Sequence, residues 1–78
     1  MARTVITITE MASMPGRYAC THQAQPGGRT YSTTHAGRDP SEAAAYAMQI
    51  ALQSPGGYVI FGPQRVLDQI PADLRHRA

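Results

Sequence analysis

From Thr4 to Glu10 the chain reads TVITITE, with Ile6 and Ile8 on one side and Val5, Thr7 and Thr9 on the other. That period-2 alternation of β-branched residues is the pattern of a strand. MASMPG then breaks it, and Pro15-Gly16 reads as a turn. RYACTHQA, residues 17–24, alternates again: Tyr18, Cys20 and His22 stand against Arg17, Ala19, Thr21 and Gln23. QPGGR predicts a second turn, because proline suits its first corner and glycine accepts a positive φ. TYSTTHA, residues 30–36, is the third strand candidate. The connections are too short for parallel crossovers, so these three segments are expected to form an antiparallel meander.

The period then changes. In GRDPSEAAAYAMQIAL, residues 37–52, Asp39 is a good N-cap, Pro40 suits the first helical position, and Glu42 follows three residues after the cap. Asp39 and Glu42 form a capping-box-like pair. The helix is expected to run to about Gln53 and stop at SPGG, since Pro55 cannot continue it. On a helical wheel Ala43, Ala44, Ala47, Ile50 and Ala51 share one face, flanked by Tyr46 on one edge and by Met48 and Leu52 toward the other. Glu42, Gln49 and Gln53 lie opposite. Alanine at the centre of an apolar face lets a helix lie close to what it covers.

GYVIFG, residues 57–62, is short, apolar and bounded by glycine, so it predicts a buried strand. PQRVLDQIP places Val66, Leu67 and Ile70 at helical spacing between prolines and predicts a helix of about two turns. Pro71 to Leu74 suggests one more turn, and residues 75–78 a frayed tail. The order is β-β-β-α-β plus a short C-terminal helix. That is an α+β fold, in which an antiparallel three- to four-stranded sheet is covered on one face by the alanine-rich helix. Ile6, Ile8, Ala47, Ile50, Val66 and Leu67 are the expected core. The other face is expected to be rich in threonine and tyrosine, open to water or a partner. An open face of this kind over a thin core also suits a homodimer.

Composition narrows the function. Seventy-eight residues make one domain, 1–78, which buries roughly 60–65% of its unfolded surface. All seven cations are arginines, scattered among five carboxylates for a net charge of +2, without the one-sided cluster of a nucleic-acid module. No apolar run approaches the ~20 residues of a membrane span, and MARTVITITE does not read as a secretory signal. Cys20 is the single cysteine and forms no intrachain disulfide.

Cys20, His22 and His35 raise metal binding and Cys/His hydrolysis as candidates. Structural zinc wants four ligands, and neither CxxC nor HxxxH spacing occurs. A mid-strand cysteine has no oxyanion donors or helix N-terminus beside it. Asp39 and Glu42 are accounted for by capping, and the glycines match no phosphate-binding pattern. No catalytic residue, metal or cofactor is therefore assigned. Tyr18 or Tyr31 could stack on bases from the exposed sheet face, but the helix starts DPSEA, an acidic beginning that phosphate avoids. Direct nucleic-acid contact is thus disfavoured. A small nucleic-acid-binding or transcription-regulating phage or bacterial protein stands as the alternative reading. Binding to another protein is favoured, with Arg17, Arg29, Tyr31 and Arg38 as interface candidates at the rim of the meander, where arginine forks pair with carboxylates. Tyr46 and Gln49 on the outer helix are the reserve surface.

TVITITE, PGRY, AGRDP leading into EAAAYAMQIAL, YVIFG and VLDQIPADLR resemble, in order and spacing, a family of small phage-encoded anti-CRISPR proteins acting on type I-F CRISPR surveillance complexes. The likeness runs over roughly residues 4 to 75 and is weakest in 19–34. It implies a non-enzymatic inhibitor in the cytoplasm of the bacterial host cell. Such an inhibitor binds the RNA-guided complex and blocks target-DNA binding or, as the resemblance favours, prevents nuclease-helicase recruitment through the large subunit. The matching motifs are fold-making ones, so the resemblance assigns no contact residues. The all-arginine cation set also departs from the lysines of that family.

Overall fold

Thr4–Glu10 forms the first strand, β1, of the computed structural model, which describes residues 3–23, 28–54 and 56–77. Tyr18–Gln23 (β2) pairs with it antiparallel, from Val5 opposite Gln23 to Glu10 opposite Tyr18. Thr30–Gly37 (β3) pairs antiparallel with β2, completing the expected meander. Gly16, with φ of +87°, turns the first hairpin, and its N–H donates to Glu10 Oε2 at 3.1 Å. The second turn, QPGGR, falls largely on residues 24–27, which lie outside the described residues, as do Met1, Ala2, Pro55 and Ala78. Across that turn the Gln23 amide donates to the Gly28 carbonyl at 2.8 Å.

Between Tyr18 opposite Gly37 and Cys20 opposite Thr33, β2 uses one residue and β3 uses three, Thr34 to Ala36. This bulge bends the edge strand and re-aims its side chains. Ala36 turns into the core while His35 stays exposed.

Pro40–Leu52 is the helix, α1, and its start is built as the sequence predicts. Asp39 is extended, and its Oδ1 accepts from the Glu42 N–H at 2.8 Å. Glu42 Oε1 in turn accepts from the Arg38 N–H at 2.7 Å, so the reciprocal bond closes one residue before the cap itself. Ala43, Ala44, Ala47 and Ala51 are buried against the sheet.

Tyr58–Phe61 (β4) does not extend the meander beyond β3 but takes its other edge, at β1. It lies beside β1, parallel to it, with Val5 opposite Val59. An apolar strand flanked on both sides loses fewest backbone hydrogen bonds, and α1, about 20 Å long, carries the chain across β2 and β1 to reach that slot. Gln64–Leu67 (α2) is one turn, shorter than expected, because Gln69 and Ile70 already bond the carbonyls three residues back. Val66 and Ile70 are nonetheless buried. A 3-10 turn follows at Ala72–Leu74. Within the segment expected to fray, 75–78, His76–Arg77 adds a two-residue strand, β5, antiparallel to β4. The sheet thus has five strands in the order β3-β2-β1-β4-β5, one pair of them parallel, within the expected α+β architecture.

The expected core residues Ile6, Ile8, Ala47 and Val66 are buried, whereas Ile50 and Leu67 sit at its margin. α1 rests on its alanines, so its larger side chains fall to the flanks. Tyr18, Cys20, Tyr58 and Ile60 fill the space instead. The expectation of a tyrosine-bearing open face is corrected. Glu10 opposite Tyr18 and Thr4 opposite Tyr58 put both tyrosines in the register of Ile6 and Ile8, under the helix. The open face carries Thr7, Thr9 and Thr21 together with Val5, Val59 and Phe61, the last 52% exposed.

Candidate functional site

The four residues expected at an interface do not form one patch. Arg17 precedes β2 and Arg38 follows β3, and the pairing of Tyr18 with Gly37 brings these two to the same end of the sheet. Arg29 precedes β3 and Tyr31 lies near its start, on the order of 25 Å away along the strand. Tyr31 is 51% exposed, and its ring stacks on His22 with centroids 5.2 Å apart and planes 19° from parallel. A tyrosine held this way is a cross-strand packing partner first. Tyr18, the other tyrosine considered for base stacking, is only 1% exposed beneath α1 and cannot reach a base.

At the Arg17/Arg38 end, an open groove of ≈ 770 Å³ lies between the bulged end of β3 and α1. One wall is His35 to Arg38 with Arg17 beside it. The other is Ala45, Tyr46, Met48, Gln49 and Leu52. The bulge makes this wall, because the two extra residues of β3 set His35 and Arg38 outside the plane that continues into the core. Gly37 lets α1 start against the strand: a β-carbon there would stand 2.6 Å from the Ala43 nitrogen and 2.9 Å from the Glu42 β-carbon.

Ala45, Met48 and Leu52 stand at i, i+3 and i+7, which makes a second apolar stripe beside the alanine face. Met48 is half-buried, while Leu52 is 76% exposed, a large apolar side chain with nothing over it among the described residues. Around this stripe the charge is mostly positive. Glu42 is spent on the Arg38 backbone N–H. Among the described residues, the ion pair joins Arg65 to Glu10 at the end of β1, and the Arg17 and Arg38 guanidinium groups make neither ion pair nor hydrogen bond. Two arginine forks thus border an apolar surface with their donors unspent.

The Cys/His candidates form no reactive group. Cys20 is buried, and loss of water around it pushes its thiol up to about 11, so it is protonated and unreactive at neutral pH. His22 is stacked on Tyr31, and His35 lies at the groove. Among the described residues no three His, Cys, Asp or Glu side chains are grouped to hold a metal ion.

Sequence reasoning names Arg17, Arg38, Tyr46 and Gln49 in this groove and misses His35, Met48 and Leu52 as part of it. The signal for the last two is the width of the apolar arc on α1, which exceeds what one sheet face can cover. No described helix is long and apolar enough to cross a membrane. The chain matches no protein-family model, and no curated protein matches it.

Proposed function

We propose that this protein is a non-enzymatic, stoichiometric inhibitor of a type I-F CRISPR surveillance complex, working in the host-cell cytoplasm by binding the large subunit and preventing nuclease-helicase recruitment. The observation that carries the reading is the groove at the Arg17/Arg38 end: an apolar stripe on α1 bordered by two guanidinium groups that pair with nothing among the described residues. Apolar anchors beside arginine forks are the composition of a protein-binding surface. The sequence resemblance in TVITITE, AGRDP and EAAAYAMQIAL names the class of target.

A phage-sensitivity assay in cells with active type I-F immunity tests this. Expression of the protein should restore infection, and no rescue at verified expression sinks the reading. If rescue occurs, purified complex loaded with target DNA should retain the DNA while losing nuclease-helicase binding. Loss of DNA binding instead would move the point of inhibition upstream.

A further inference from the structure

We propose that the groove between α1 and the bulged end of β3 is the docking site for an acidic segment of a partner protein that inserts an apolar side chain over Met48 and Leu52. The inference deepens the inhibitor reading and rests on it for the setting, but the groove makes its own prediction about chemistry. Its volume, ≈ 770 Å³, lies in the range that accepts a few side chains of a bound segment. Leu52 is three-quarters exposed at the C-terminal end of α1, where an isolated leucine gains most from being covered. Arg17 and Arg38 border the other end, so the occupant is apolar toward Leu52 and anionic toward the arginines.

Charge complementarity selects among occupants. A basic segment would meet both guanidinium groups and His35 with a single carboxylate, Glu42, whose Oε1 is already hydrogen-bonded to the Arg38 backbone. A nucleic-acid strand would satisfy the arginines but leave Leu52 without an apolar partner. A carboxylate-bearing peptide satisfies both ends, since each fork can take a carboxylate bidentately.

The experiment uses the full chain labelled with nitrogen-15. Three synthetic probes are titrated: an aspartate/glutamate-rich peptide with two leucines, the same peptide with serine for leucine, and a short DNA duplex. The expected result is shifts of the Arg38, Met48, Gln49 and Leu52 amides with the leucine peptide, weakened on the order of tenfold by the serine exchange. The Arg17→Glu/Arg38→Glu variant, with its amide spectrum otherwise kept, should lose the response. Leu52→Ser, an exposed change that the fold tolerates, should weaken it similarly. The proposal is overturned if the peptide shifts residues elsewhere or none. Equal shifts of the same amides by the duplex overturn it too, in favour of phosphate recognition. Phage rescue by the wild-type protein with no groove response discards the groove and keeps the inhibitor; a groove response without rescue discards the inhibitor reading alone.

Discussion

A β-carbon on Gly37 would stand 2.6 Å from the backbone nitrogen of Ala43, so the end of β3 meets the first turn of α1 as closely as backbone allows. The approach sets where α1 begins over the sheet, and with it the wall of the groove. Gly37→Ala must push helix and strand apart, because the atoms it meets are mainly backbone. Overpacking of this kind costs about 1–3 kcal/mol. A chain of this size should lose several degrees in Tm per kcal/mol, read by thermal unfolding. An unchanged Tm would mean the helix start can slide without loss.

The cap beside it makes a smaller, separable contribution. Asp39→Ala removes the acceptor for the Glu42 N–H, and a lost N-cap costs about 1 kcal/mol. Asp39→Ser should recover most of it. Urea unfolding of the three proteins would show equal midpoints for Asp39→Ala and wild type if the cap were idle.

Tyr58 ties the C-terminal segment to the sheet. Its ring is buried, and its hydroxyl donates to the Leu74 carbonyl at 2.9 Å. Tyr58→Phe keeps the packing and leaves that carbonyl without the bond, an expected loss of about 1 kcal/mol. Loosening should concentrate in the 3-10 turn and β5, so hydrogen exchange there should quicken more than in β1. Uniform acceleration would mean the bond does not act locally.

Cys20 makes stability depend on alkaline pH. Burial raises its thiol from 9.0 to about 11. Between those values the unfolded chain ionises the thiol while the folded chain keeps its proton, so stability is full below about 9 and falls as pH rises toward about 11. The loss attributable to this group is at most about 1.4 kcal/mol per pH unit. Comparison with Cys20→Ala isolates it from tyrosine titration: wild type should lose stability faster over that window. Parallel pH curves for the two proteins would show that water reaches the thiol.

For the proposed inhibition, the two ends of β3 predict different outcomes. Arg17→Ala/Arg38→Ala should abolish phage rescue, and Arg29→Ala/Tyr31→Ala should largely keep it. The plaque assay checks both at matched expression. The reverse result would move the partner surface to the opposite end of the sheet.

The elements themselves were legible from local chemistry. Alternation in TVITITE, the Asp39-Pro40 start and the alanine run each act within a few residues, where spacing and hydrogen-bond reach decide the outcome. By itself the sequence therefore determined three antiparallel strands, the helix with its cap, and the pairing of an alanine face with a sheet. Alternation put Tyr18 and Cys20 on one side of β2, but a period of two is blind to which side a distant helix will cover. Only the tertiary structure decided that. It also decided that β4 lies parallel to β1, and that a short β5 forms beside it once β4 offers a free edge. The bulge in β3, which brings Arg17 and Arg38 together beside Met48 and Leu52, belongs to the same class: its cause is the fit between a strand end and a helix start, made by residues that meet only after the chain has folded.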